Sequence, residues 1–359
     1  LREIVLPDGL TYIYASAFEN CSSLREIAIP GGITQLPEYV FSGCAALERV
    51  DLEDGLTRID GHAFAGCESL TQITLPDTVT TLGTGIFSGS GVTLVDFPAG
   101  MTMLPGSTFE NCTSLESITL PDGLTAIGAQ AFLGCTSLNH VVIPDSVTSI
   151  GGEAFALCTA LTAIQVPRTV THLGEGAFYY CTALTDCTLP ERIQTIGDYT
   201  FAGCSRMIRL DFLPEGLEQI GRWPFYGMRQ LYSAELPSTV AYIGDHAFDG
   251  CTRLAVIRSH PTLPPSLGEA VFQEVPQANC LLGVPDESIE LYRGTPQWQE
   301  FEIRLLSNKE ELTADNRLNV HFEQGNLIVQ SEAPMRHIAL YTPDGQLIYR
   351  ETGETTECT

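Results

Sequence analysis

The sequence predicts a right-handed solenoid of short strands joined by short helical or 3-10 turns, followed by a small C-terminal all-β domain. Three observations support this prediction. One pattern begins twelve times, apolar residues keep fixed positions within it, and a different pattern takes over near Ser307. The repeats begin at Leu1, Leu24, Leu47, Leu70, Val92, Leu115, Leu138, Leu161, Leu184, Met207, Leu231 and Leu254.

The repeat starts are 23 residues apart, except for one spacing of 22 and one of 24. A period of about 20 to 29 residues with this leucine pattern is typical of leucine-rich repeats. We therefore predict a leucine-rich repeat solenoid over residues 1–259, with about eleven full repeats and a degenerate one. One repeat cannot bury enough apolar surface to fold alone, so the repeats must stack and the ends need caps. Residues 260–305 are predicted to form the C-terminal cap, and residues 306–359 the small β domain.

The sixth repeat shows the elements in order, with its first residue numbered position 0. Ile118 and Leu120, at positions 3 and 5, alternate with polar residues as in a strand with one buried face. Residues 121–123 read Pro-Asp-Gly and suit a type I turn, after which Leu124 and Ile127 form a second short edge.

The second half of the repeat predicts one or two helical turns. Phe132 and Cys135, at positions 17 and 20, lie three residues apart and would share one helix face. Position 19 is Gly or Asn in most repeats, residue types that tolerate a left-handed helix stop, and Leu157 and Tyr180 depart from that rule.

Nine of the twelve cysteines occupy position 20, which predicts free, buried thiols rather than disulfides. They are Cys21, Cys44, Cys67, Cys112, Cys135, Cys158, Cys181, Cys204 and Cys251. Cys187 replaces an Ile or Val of another position and is also predicted to be core. Cys280 and Cys358 fall outside this pattern and are the thiols expected to be accessible. No Cys-x-x-Cys pair indicates a zinc or redox site, so no metal or cofactor is predicted.

Composition and motifs exclude several classes of function. With 18 Lys and Arg against 44 Asp and Glu, the net charge is −26, which disfavours a nucleic-acid partner. No apolar run approaches the length of a transmembrane segment. The sequence has no metalloprotease, serine-hydrolase or phosphate-loop signature, so we predict no catalytic residues and no enzyme activity.

The best candidate for a binding site is an aromatic strip on one edge of repeats eight to eleven. Allowing for one inserted residue in repeat ten, Tyr199, Trp223 and His246 share position 15, and Tyr179 and Tyr226 share position 18. Such a strip could hold a protein loop or stack on sugar rings, and the neighbouring Asp198, Asp245 and Asp249 would set the polarity of the site. The alternative is that these rings only pack against the neighbouring coil. The exposed strand positions 2 and 4 form a mixed inner face without aromatic anchors and are the weaker candidate.

The motif L-x-x-I-x-L-P-x-x-V-T-x-I-G-x-x-A-F-x-G-C, nearly complete in residues 115–135 and 138–158, resembles the BspA-like family of bacterial leucine-rich repeats. Val284-Pro285, Tyr292, Trp298 and Phe301 resemble the usual ending of its arrays. The resemblance implies a secreted or cell-surface, adhesin-like protein. Its expected partner is a protein, such as a host matrix protein or a component of another bacterium, with carbohydrate as the alternative.

Residues 318–322, 326–330, 337–341 and 346–350 alternate like strands, and 342–345 read Thr-Pro-Asp-Gly, a turn between the last two. This segment resembles the opening half of the sorting domain of type IX secretion, which implies the outer surface of a Gram-negative bacterium. The chain stops before the later strands that such a domain needs. Neither the ligand nor an oligomeric state follows from the sequence.

Overall fold

The computed structural model describes residues 2–307, 319–323, 326–341 and 347–358. Short parallel strands stack in sequence order on a first face, and each residue pairs with the equivalent residue of the next repeat, as Glu26 does with Arg49. The predicted solenoid of stacked strands is confirmed. Its strands are Glu26–Ile29, Arg49–Leu52, Gln72–Thr74, Leu94–Asp96, Ser117–Thr119, His140–Val142, Ala163–Gln165, Asp186–Thr188, Arg209–Leu210, Ser233–Leu236, Val256–Ser259, Leu281–Val284 and Glu302–Leu305.

A second face carries one two-residue strand per repeat from the second repeat onward, at positions 11 and 12, within the second edge predicted at positions 9 to 12. The Pro-containing turn that precedes it redirects the chain, as Leu124 N–H donates to Pro121 O at 3.0 Å. The strands are Gln35–Leu36, Arg58–Ile59, Thr81–Leu82, Met103–Leu104, Ala126–Ile127, Ser149–Ile150, His172–Leu173, Thr195–Ile196, Gln219–Ile220, Tyr242–Ile243 and Ser266–Leu267.

The third side of each coil is not helical, so the prediction of helical turns within the repeats is wrong. In the first repeat, the N–H groups of Ser16, Phe18 and Asn20 donate to carbonyls of the next repeat. The intervening N–H groups donate three residues back, as Glu19 does to Ser16 O at 3.0 Å. Alternate amides are therefore committed to the neighbouring coil, and an α-helix, in which successive amides bond to the carbonyl four residues back, cannot form.

Two residues in each coil of this third side adopt a left-handed backbone, at positions 15 and 19. Position 19 is left-handed even where it is Leu157, with φ of 60°, or Tyr180, with φ of 55°. This conformation costs a non-glycine residue about 1 kcal/mol or more. The hydrogen bonds between coils must offset that cost, because they fix the same backbone shape in every repeat.

The core is a stack of phenylalanines at position 17. Twelve rings from Phe18 to Phe272 follow one another with centroids 5.1 to 6.3 Å apart. Offset stacking at this distance stabilises aromatic pairs beyond the area they bury. Each coil thus contributes one ring, and every ring from Phe41 to Phe248 packs between the rings of the two neighbouring coils.

The cysteines of position 20 lie beside this phenylalanine stack as free thiols, as predicted. Except for Cys21 in the first repeat, each Sγ donates to the carbonyl of a phenylalanine in the preceding repeat, as Cys135 does to Phe109 O at 3.0 Å. The prediction that Cys280 is accessible is wrong, because its side chain is fully buried where residues 260–305 continue the stack. Burial raises its pKa to about 12, and Cys21 of the first repeat is instead half-buried.

We expect a thiol reagent to modify Cys21 and to leave the ten buried thiols intact. The test uses a Cys358→Ser variant, so that only the eleven thiols of Cys21 to Cys280 remain. A buried, protonated thiol is neither accessible nor nucleophilic. Ellman's reagent should therefore report about one thiol in the native protein and all eleven in denaturant. Labelling of Cys280 in the native state, identified by peptide mapping, would contradict the structure.

Residues 260–305 extend the stack with two further strands on the first face and short helices between them. The 3-10 helices are Gln277–Asn279, Asp286–Ser288 and Trp298–Glu300, and the α-helix is Ile289–Arg293. The fully buried Trp298 ring packs on Phe272 at 5.1 Å, and its Nε1 donates to Pro265 O at 3.0 Å. Tyr292 is equally buried and donates to Pro261 O at 3.0 Å.

Beyond residue 307 the structure describes three antiparallel strands, Asn319–Glu323, Asn326–Tyr341 and Leu347–Cys358. The turn predicted at 342–345 lies outside the described residues. The domain boundaries, the small β domain and its likeness to a sorting domain remain predictions.

Candidate functional site

The backbone of the third side brings the predicted aromatic strip together. Tyr199, Trp223 and His246 each occupy the left-handed position 15, with φ of 58°, 59° and 54°. The inserted residue of repeat ten is absorbed before Pro214, because Gly221 N–H still donates to Ile196 O at 2.8 Å, as equivalent glycines do in other repeats. Trp223 therefore stays in register with its neighbours.

The rings of position 15 stack along the solenoid. Trp223 and His246 have centroids 4.0 Å apart and planes 11° from parallel. Tyr199 and Trp223 are 6.5 Å apart, with planes 6° from parallel. Both faces of the Trp223 ring are thus turned toward ring neighbours, and it is the edges of these rings that face outward.

The position 18 tyrosines join the strip at right angles. Tyr226 lies 5.1 Å from Trp223 at 77°, and Tyr179 lies 6.3 Å from Tyr199 at 89°. Tyr180 also belongs to the site, because its ring lies 4.6 Å from that of Tyr179. The sequence reasoning treated Tyr180 only as an exception at position 19, although its place beside Tyr179 was a signal that could have identified it.

The hydroxyl groups of the strip are unused by the protein. Within residues 2–307 the hydroxyls of Tyr179, Tyr180, Tyr199 and Tyr226 have no hydrogen-bond partner, and neither has Nε1 of Trp223. Tyr199 is 44% exposed, so it is not simply a core residue. Partial burial, aided by the nearby Tyr180 and Tyr199 hydroxyls, raises the pKa of Tyr179, so the Tyr179 hydroxyl stays neutral at physiological pH.

The carboxylates next to the strip hold its backbone in place. Asp198 Oδ1 accepts the N–H of Arg222 at 2.7 Å, and Asp245 Oδ1 accepts the N–H of Glu269 at 2.7 Å. The buried Asp249 lies 3.1 Å from Nδ1 of His246. These three aspartates were predicted to set the polarity of the site. Their bonds show that they also fix the residues on either side of the stacked rings.

A groove of about 540 Å³ runs beside the strip on the third side of repeats eight to twelve, and we call it the turn-side groove. Trp223 and Tyr226 form part of its wall. A larger hollow of about 630 Å³ lies on the first face around Asp51 and Asp96. There the polar groups already satisfy one another, because Arg49 forms two hydrogen bonds to Asp51, and Thr74 donates to Asp96. The turn-side groove is therefore the better candidate.

A model of the BspA-type leucine-rich repeat region matches the chain in six copies, within residues 1–116, 102–212 and 172–279. The chain belongs to this family. BspA-type proteins are typically secreted or found on the cell surface. Within the described residues, no helix is long and apolar enough to cross a membrane.

Solved structures of similar proteins share the fold. A leucine-rich repeat protein from Bacteroides ovatus is 26% identical, with a TM-score of 0.60 over 84% of this chain and 91% of its own. A leucine-rich cell surface protein from Faecalibacterium prausnitzii is 30% identical, with a TM-score of 0.51 over 70% of this chain and 77% of its own. The pneumococcal vaccine antigen PcpA, at 21% identity and a TM-score of 0.52 over 79% of each chain, shows the fold alone. No curated protein sequence matched the chain.

Proposed function

We propose that the protein is a secreted or cell-surface recognition scaffold that binds a partner protein through the aromatic strip and has no catalytic role. The observation that supports this function is the strip itself. Its half-buried rings are held in fixed positions by neighbouring coils, and their hydroxyls have no partner in the described protein. Rigid aromatic side chains with a polar end favour protein interfaces because little entropy is lost when they bind.

The stacking geometry favours a protein partner over a carbohydrate. A sugar ring binds an aromatic residue on its face, whereas the faces of Trp223 are turned toward Tyr199 and His246. The outward ring edges, with their O–H and N–H groups, suit the carbonyl groups of a polypeptide. The net charge of −26 further favours a partner with a basic surface.

The cellular setting belongs to the same proposal. The family and the cell-surface protein of Faecalibacterium prausnitzii support a surface or secreted location. An adhesin-like role toward host matrix proteins or other bacteria, on the outer surface of a Gram-negative bacterium, accords with the resemblances in the sequence.

We expect Tyr199→Ala to weaken binding of the partner about thirtyfold, the loss typical of a hot-spot residue. The partner is first identified by exposing the protein to an array of extracellular-matrix proteins and to a glycan array. The matched control is Tyr39→Ala. Tyr39 also occupies position 15, is 40% exposed and stacks on a histidine, His62, at 5.0 Å, but it lies in repeat two.

The control should bind like the native protein, and both variants should keep a similar melting temperature. Equal affinities for Tyr199→Ala and the native protein would move the site away from the strip. Binding to glycans alone would replace the protein-recognition proposal with the carbohydrate alternative.

A further inference from the structure

The turn-side groove has a floor of three glycines and two closed ends. Position 19 is Tyr180, Gly203, Gly227, Gly250 and Glu274 in five successive repeats, allowing for the residues inserted in repeats ten and twelve. At the first end the Tyr180 ring lies over Gly203, where a Cβ would come within 2.8 Å of it. At the other end the Glu274 carboxylate lies over Gly250, 4.0 Å from the equivalent point.

The middle of the groove is open. A Cβ built on Gly227 meets no atom within 4 Å, unlike one built on Gly203 or Gly250. The aromatic strip forms one wall here. Both faces of Trp223 are turned toward stacked neighbours, so it is the edge of Trp223 that meets the face of Tyr226. The other face of Tyr226 has no ring partner in the described part of the chain.

The charged groups in the groove are of both signs. Glu274 and Arg229 both line it and are exposed, and neither forms an ion pair within residues 2–307. Asp249 is buried and already bonded to His246.

 The exposed Glu175 and Glu269 extend the acidic surface on the other flank of the strip. A ligand in the groove therefore meets the unpaired carboxylate of Glu274 at one end and the unpaired guanidinium of Arg229 along its lining.

We infer that this groove seats an extended peptide segment of the partner, with a Lys or Arg side chain directed at Glu274. The inference rests on the proposed function and specifies its ligand. The five coils span about 19 Å at about 4.8 Å per coil, which is the length of about six extended residues. Glycines allow the close approach of a peptide backbone, and Arg229 and the strip hydroxyls can donate to its carbonyls.

The test blocks the groove without changing the fold, through Gly227→Asn. Asparagine already occupies position 19 in the left-handed backbone at Asn20 and Asn111, each with φ of 58°. The matched control is Gly89→Asn. Gly89 has φ of 66°, against 67° at Gly227, and its Cβ position is equally open, with the nearest atom at 4.0 Å. It lies in repeat four, far along the stack from the groove.

The probe is a phage-displayed library of random heptapeptides, selected on the native protein. Selected peptides should be enriched in Lys and Arg over Asp and Glu, and synthetic copies should bind Gly227→Asn at least tenfold more weakly than the native protein and Gly89→Asn equally well. Glu274→Gln should remove the preference for basic peptides. Trp223 provides a direct fluorescence signal for binding. The other tryptophan of the chain, Trp298, is fully buried, so a shift in emission on binding is assigned to Trp223.

Equal affinity for the native protein and Gly227→Asn would place the peptides outside the groove and overturn the inference. Failure to select any peptide, or selection without basic residues, would also overturn it. The proposed function is judged separately with the partner from the protein array. If that partner is lost with Tyr199→Ala but kept with Gly227→Asn, the strip binds and the groove does not. If neither variant affects it, both proposals fail.

Discussion

Raising the pH from 8 to about 10.5 under reducing conditions is expected to unfold the solenoid. Ten thiols are buried in the folded protein, and burial raises their pKa values, to about 11 for Cys44 and Cys112 and to about 12 for Cys181. In the unfolded chain a cysteine titrates near 8.5. Between these values the unfolded state releases protons that the folded state retains. The contribution of the buried thiols to the free energy of unfolding is therefore fully present below about pH 8.5 and is lost as the pH rises above that value.

The expected loss is large because the thiols act together. One thiol that stays protonated in the folded state costs about 1.4 kcal/mol per pH unit above its unfolded pKa, so ten of them cost on the order of 14 kcal/mol per unit. Such a loss is comparable with the whole stability of many domains. Urea unfolding followed by circular dichroism at pH 8, 9 and 9.5 measures the slope directly.

A double variant, Cys135→Ser with Cys158→Ser, separates the thiols from other alkaline effects. Serine already occupies position 20 at Ser90, where its Oγ lies 3.6 Å from Cys112 Sγ, so the substitution suits the site. The slope of stability against pH should fall by about two protons, from about ten to about eight. An unchanged slope in this variant, or a native stability that does not depend on pH up to 10, would refute the argument.

Phe155→Ala is expected to destabilise the protein by about 4 kcal/mol, the usual cost of emptying a buried aromatic site. Phe155 is fully buried and stacks on Phe132 at 5.1 Å and on Phe178 at 5.8 Å, so its loss removes two ring contacts and leaves a cavity. The measurement is the free energy of unfolding from urea titration at pH 7.

Phe97→Ala is the matched control for this variant. Phe97 is half-buried and touches the stack only through an edge contact to Phe109 at 6.1 Å. We expect it to lose about half as much stability, because less apolar area is involved. Similar losses in the two variants would mean that the phenylalanine stack has no special part in joining the coils.

The sequence predicted the strands, the cysteine placement and the strip, because each depends on a residue type that recurs at one position. It could not predict the third side. Phe132 and Cys135 have the spacing of a helix, but the same spacing fits consecutive turns whose alternate amides bond to the next coil. That choice depends on where the neighbouring repeat lies, which no pattern within one repeat records.

Polar contacts between coils were equally hidden. Asp198 was recognised as a charge near the strip, whereas its bond to the Arg222 amide depends on the register of two repeats. The left-handed backbone at position 15 was also hidden in most repeats. Gly85 and Gly176 indicate it, but most other repeats carry residue types that rarely adopt it.

The uniform backbone at position 15 has a consequence for how such a protein can change over generations. Ser16, Gln130, Glu153, Trp223 and Ala270 all occupy that position with φ between 49° and 59°. The neighbouring coils set the backbone there, so the residue can be exchanged with little effect on its neighbours. Duplication of a repeat therefore adds one more variable residue at position 15, and mutation of these residues one at a time can change which partner is recognised.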